Sequence, residues 1–178
     1  MVVLNLNARF QPMHRHELED ALDEIMDRLG IGEVCGGGTA LMPTKEVSSC
    51  DIEIDCDDDK NTLEKLVDII DALGVPKGSR LILPDSPEIP VGRLEGLALY
   101  LNGTDLPAEV YQSNDINDLI EQADTLLEGI GRIYSWWEGP AETALYFYGE
   151  SYEKILNALK KLIEESPLCQ KSRVVQIA

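Results

Sequence analysis

Six of the nine residues from Asp51 to Asp59 are carboxylates: Asp51, Glu53, Asp55, Asp57, Asp58 and Asp59. Oxygen ligands at that density can hold calcium or magnesium. The spacing does not fit the calcium loop D-x-[DN]-x-[DN]-G-x5-E, because its central glycine is missing. Alternation accounts for the first three acids more simply. In an extended chain, Cys50, Ile52, Ile54 and Cys56 fall on one side and Asp51, Glu53 and Asp55 on the other. The three acids are therefore expected as a solvated or partner-facing row on a sheet, with no metal and no cofactor.

His14 and His16 are the only histidines. An H-x-H pair can ligate zinc, with Cys35, Cys50 or Cys56 completing the set. Cys50 and Cys56 alternate with isoleucines, however, and read as core. A histidine beside Glu17 or Asp20 can also act as a general base, but the sequence places no nucleophile or oxyanion donor near this segment, which reads as a loop before the first helix. The run Gly36-Gly37-Gly38 resembles a phosphate cradle only in composition. No Lys-Ser/Thr pair and no helix follow it. A bulge or sharp bend inside a strand is the expected structure.

Thirty-three acidic residues face fifteen basic ones, for a net charge of −18. That charge repels phosphate backbones and anionic membrane surfaces, and it attracts a basic partner. No apolar run reaches the roughly 20 residues that span a bilayer, and Met1–Phe10 alternates like a strand rather than a leader. The four cysteines, Cys35, Cys50, Cys56 and Cys169, contain no CxxC pair. They are expected to be reduced and buried, in a cytoplasmic protein.

The elements that carry these residues repeat. VVLNLN at 2–7 resembles LALYLN at 97–102, and GIGEV at 30–34 resembles GIGRI at 129–133. LEKLVDIIDAL at 63–73 resembles YEKILNALKKL at 152–162, and Arg80–Leu83 and Arg173–Ile177 close the two copies. Four helices follow from apolar residues on one face at 3.6 residues per turn: Leu18, Ala21, Leu22, Ile25, Met26 and Leu29 in the first; Leu63, Leu66, Val67, Ile70 and Leu73 in the second. Ile116, Leu119, Ile120, Ala123 and Leu126 form the third stripe, and Ile155, Leu156, Leu159, Leu162 and Ile163 the fourth. Asn61 with Glu64 offers a start for the second helix. Gly30, Gly74 and Gly129 stand where helices end.

The order β-α-β-β-α-β, twice, predicts an α+β protein: a tandem duplication of a ferredoxin-like unit, with antiparallel sheets covered by helices on one face. The subdomains are expected at 1–84 and 96–178. Between them, 85–95 reads as a proline-rich linker, with Pro84, Pro87 and Pro90 favouring an extended segment. Tandem units of this kind resemble amino-acid-binding sensors of the ACT type in element order alone. The loop Ala8–Pro12 lacks that family's Asp-Arg-Pro-Gly-like turn.

The second copy holds nearly all the aromatic residues. With Leu97, Leu99, Leu101, Leu145 and Phe147 turned to the helices, Tyr100, Tyr146 and Tyr148 face the other side of the sheet, and one of Trp136 and Trp137, taken as Trp136, joins them. This aromatic face is expected either at an interface, with a partner or in a homodimer, or buried within the chain. Asp51, Glu53, Asp55, Tyr100, Trp136, Tyr146 and Tyr148 are therefore the candidate binding residues. The expected function is a non-catalytic acidic protein-binding module, of the inhibitor or immunity type, that occludes a basic partner. The alternative is a regulatory protein that binds a small ligand in the cleft between the copies.

Overall fold

The computed structural model describes residues 1–84 and 86–178. Asp85, in the expected linker, lies outside the described residues. The chain forms two compact units, Met1–Leu94 and Glu95–Ile177.

In the first unit, β1 (Val2–Leu6), α1 (Pro12–Leu29), β2 (Glu33–Leu41), β3 (Val47–Asp55), α2 (Lys60–Leu73) and β4 (Ser79–Ile82) follow the β-α-β-β-α-β order. Strand alternation decides what is buried. Val2, Leu4 and Leu6 of β1, Cys50, Ile52 and Ile54 of β3 and Leu81 of β4 are buried, as are Leu22 and Met26 of α1 and Leu66 and Ile70 of α2. Each such side chain contributes about 1.5–3 kcal/mol by leaving water. Helix α1 starts without a side-chain cap, on Pro12, whose missing N–H costs nothing at that position. Both histidines therefore lie in the first turns of α1 rather than in a loop before it. Helix α2 is capped by Asp59, not by Asn61; its carboxylate accepts from the backbone N–H of Asn61 at 2.9 Å and of Thr62 at 3.3 Å. The hydroxyl of Thr62 donates to the same carboxylate, and these bonds hold the Asp59 carboxyl below its usual range.

The segment expected as a linker contains a further strand, β5 (Ile89–Val91), paired antiparallel with β4 through Ser79–Val91, Arg80–Pro90 and Leu81–Ile89. Proline is tolerated there because β5 is an edge. The first sheet thus has five strands, in the order β2-β3-β1-β4-β5.

The second unit repeats the plan with β6 (Glu95–Asn102), α4 (Ile116–Leu126), β7 (Gly131–Glu138), β8 (Glu142–Gly149), α5 (Tyr152–Glu165) and β9 (Arg173–Gln176). A short helix, α3 (Ala108–Ser113), precedes α4, and a 3-10 turn at Pro167–Cys169 precedes β9. The sheet order is β7-β8-β6-β9. Its core joins Leu97, Leu99, Leu101, Leu145 and Phe147 to Leu119, Ala123, Ile155 and Leu159. The chain is a tandem of ferredoxin-like α+β units. No helix among the described residues is long and apolar enough to cross a membrane.

The repeated Gly-Ile-Gly has a physical basis at both ends. Gly30 and Gly129 adopt φ of +62° and +75°, the left-handed turn that glycine makes without strain. Gly32 and Gly131 lie against the end of the neighbouring strand. A Cβ on Gly32 would meet the carbonyl of Asp55 and come within 2.7 Å of the Cys56 Cβ; one on Gly131 would lie 2.6 Å from the carbonyl of Tyr148. Immediately after each motif the edge strand bulges, at Cys35 between Val34 and Gly36 and at Tyr134 between Ile133 and Ser135. In each copy a helix aspartate accepts from the edge strand just before the bulge: Asp23 from the N–H of Val34 at 2.8 Å, Asp124 from that of Ile133 at 3.3 Å.

Candidate functional site

The acid row lies on the face of the first sheet opposite its helices. Register places Asn5, Asp51 and Gly38 on one rung, Val3, Glu53 and Gly36 on the next, and Glu33 with Asp55 at the end. Glu53 and Asp55 are exposed; Asp51 is half-buried and accepts from the Asn5 amide at 2.6 Å. Arg80 occupies the same face beside Asn5, but it is paired with Glu88 at 3.1 Å. Among the described residues, none of Glu33, Glu53 and Asp55 has a basic side chain within 4.0 Å. The row is therefore uncompensated charge on an accessible surface. Glu33 escaped sequence reading because the bulge at Cys35 shifts the alternation of β2.

The second copy fills the equivalent rungs differently. Tyr100, Ala144 and Trp137 share one rung, and Ala98, Tyr146 and Ser135 the next. Tyr146 and Tyr148 are fully buried and Tyr100 nearly so. Tyr146 meets Tyr100 edge-to-face at 6.4 Å, and Tyr148 meets Tyr134 in the same way at 5.5 Å. Of the two arrangements expected for this face, these three tyrosines are buried within the chain rather than exposed to a partner. Trp136 does not join them. The bulge at Tyr134 adds one residue and reverses the parity, so Trp137 stands on the tyrosine face, whereas Trp136 pairs with Leu145 on the helix side and remains 44% exposed.

At the border of that face, Arg173 donates from Nε and Nη2 to the two Glu142 oxygens at 3.0 and 2.9 Å, and its guanidinium lies 3.5 Å from the centre of the Tyr100 ring. The fork holds the Glu142 carboxyl below its usual range, chiefly through the hydrogen bonds from Arg173, with partial burial opposing. Because the folded value is lowered, the stabilisation is complete at neutral pH and is lost as pH falls through the folded value. Replacing Arg173 with glutamine is expected to return Glu142 to the ordinary carboxylate range in an NMR titration of its side chain. An unmoved midpoint would contradict the pairing.

On the helix side of β2, Arg15 is buried. It pairs with Glu19 at 2.9 Å, donates to the Thr39 hydroxyl at 3.2 Å and lies 2.9 Å from His16 Nε2. A shallow groove of about 310 Å³ opens here, lined by Arg15, His16, Glu19, Asp20, Gly36 and Gly37 among others. Gly37 makes room for the cluster, since a Cβ there would run into the Glu19 carboxylate. Two positions apart on a helix, His14 and His16 point to different sides; burial pushes the His14 imidazole below its usual pKa. Cys50 is buried beside the carbonyl of Phe10, at 3.4 Å, and burial raises its thiol pKa. Contrary to the expectation that all four cysteines are buried, Cys35, the bulged residue, is exposed and Cys56 is half-exposed. Among the described residues, no three His, Cys, Asp or Glu side chains are grouped to hold a metal ion.

No protein-family model matches the chain, and no curated protein matches it. Solved structures similar over nearly the whole length include two of differing description. An unknown protein from Galdieria sulphuraria is 12% identical with a TM-score of 0.30, covering 98% of this chain and 94% of that one. The first two RRM domains of yeast poly(U) binding protein are 8% identical with a TM-score of 0.27, covering 100% and 99%. At those scores neither similarity bears on function.

Proposed function

We propose that this chain is a protein-binding module whose first sheet receives a basic partner on its acidic face. The supporting observation is the row Asp51, Glu53 and Asp55, with Glu33 beside it, exposed or half-exposed; among the described residues no basic side chain pairs with Glu33, Glu53 or Asp55. Like charges directly opposite one another destabilise a sheet, as Glu33 and Asp55 are here, so the row costs folding energy that a cationic surface would offset. The net charge of −18 extends the attraction beyond contact, and steering of this kind raises association rates more than it raises affinity. Occlusion of a cationic surface, as an inhibitor or immunity protein would achieve, is the corresponding mode of action.

The test separates the row from bulk charge. Partners recovered from the native source by the intact chain are compared with those recovered by Asp51→Asn/Glu53→Gln/Asp55→Asn and by Glu121→Gln/Glu128→Gln/Glu164→Gln. The two variants lose equal charge, from positions that are all exposed save the half-buried Asp51. A basic protein retained by the second variant and lost by the first is the expected result. Equal retention by both would overturn the reading.

A further inference from the structure

β2 is an edge strand bonded only to β3, and among the described residues no strand pairs with its outer side. Unpaired edges invite strand addition, and proteins blunt them with bulges, charges or covering elements. Here the blunting is local. The bulge at Cys35 and the Asp23 carboxylate on the Val34 N–H close the beginning of the edge. From Gly36 to Ala40 neither device continues; a second register shift falls only between Ala40 and Leu41. Three glycines leave the backbone bare, and a Cβ on Gly38 would have nothing within 4 Å. Leu41, at the far end, is exposed. The second copy carries the same bulge and an aspartate on the equivalent N–H, followed by Ser135, Trp136 and Trp137, whose two indoles stand where the first copy has glycine.

Charge identifies the occupant. Glu53 leans over Gly36, where a Cβ would lie 2.9 Å from its Oε2, and Glu19 leans over Gly37 on the opposite face. A carboxylate thus reaches toward the edge on each side of a strand that has no side chains in the way. Glu19 is already paired with Arg15, so the open face, with Glu53 and Asp51, carries the recognition. An added strand lies about 10 Å from β3, two strand spacings, and a lysine or arginine on it can lie across the glycines to meet Glu53. A second copy docked by the same edge would set one acid row beside another and be repelled. We infer that an extended segment of a partner, with lysine or arginine at alternate positions, adds to β2 along Gly36–Ala40 as a further strand of the first sheet. The inference rests on the proposed basic partner and specifies how it docks.

The test uses the full chain and a short labelled peptide alternating lysine and threonine, read by fluorescence anisotropy and amide hydrogen exchange. A second peptide, N-methylated throughout, keeps the charges and loses every backbone donor. The expected result is saturable one-to-one binding, slowed exchange between Gly36 and Ala40, and binding of the methylated peptide about tenfold weaker or worse. Equal binding of both peptides without protection of β2 would overturn strand addition and leave the acidic-surface reading standing. Undiminished binding and protection in Asp51→Asn/Glu53→Gln would overturn the acidic reading and leave strand addition standing. Absence of binding would overturn both. Protection of β2 that rises with protein concentration, without peptide, would make a second copy the occupant and overturn the inference.

Discussion

Replacing Tyr146 with alanine is expected to lower the stability of the chain by about 3–5 kcal/mol, the usual cost of deleting a buried aromatic ring. The ring has no exposed surface and meets Tyr100 edge-to-face. Truncation removes both its area and that contact, and the buried sheet centre around Ala98 and Ala144 has little freedom to collapse into the space. Urea denaturation followed by fluorescence reads the change as a lower midpoint at unchanged slope. Trp136→Ala provides the comparison. Its indole is partly in solvent on the helix side, and its loss is expected to cost far less. If Tyr146→Ala unfolds at the same denaturant concentration as the intact chain, the burial of the aromatic face is wrong.

Gly32→Ala should be nearly as damaging, by about 2–4 kcal/mol, because it combines two effects. The residue holds a φ of +141°, which an L side chain rarely adopts, and its new methyl would press on the Asp55 carbonyl and the Cys56 Cβ. Gly30→Ala, two residues earlier, meets nothing within 4 Å and should cost only the left-handed penalty, about 1–2 kcal/mol. The pair is best measured together by thermal denaturation. Equal losses at the two positions would show that packing at the strand end is not what the second glycine of the motif serves.

The duplication, the helices and the two-sided character of β3 were legible in the sequence because each rests on a period. Four apolar stripes at helical spacing and the alternation Cys50-Asp51-Ile52-Glu53-Ile54-Asp55 determine burial directly. What escaped rests on events that break a period. Trp136 reads as a neighbour of the tyrosines because nothing in the residues of β7 marks the extra one at Tyr134. Pro87 and Pro90 read as a spacer because proline argues against a central strand, yet an edge strand accepts it. His14 and His16 read as loop residues because the apolar stripe of α1 begins only at Leu18, two turns after Pro12 opens the helix. The acid row was visible; that Glu53 and Glu19 lean over the glycines of β2 was not, since the space above a missing side chain has no signature in the chain that leaves it.

The paired bulges imply something about how the two halves diverged. Cys35-Gly36-Gly37-Gly38 and Tyr134-Ser135-Trp136-Trp137 have no residue in common, yet they occupy the same rungs against β3 and β8. Substitution there has exchanged bare backbone for indoles and acids for phenols, while the count from Gly-Ile-Gly to these rungs is the same, from Gly32 to Gly38 and from Gly131 to Trp137. Insertion or deletion of one residue would have turned every later side chain of the strand to the opposite face. Along this edge, what the halves hold in common is a count, and chemistry has been free to vary within it.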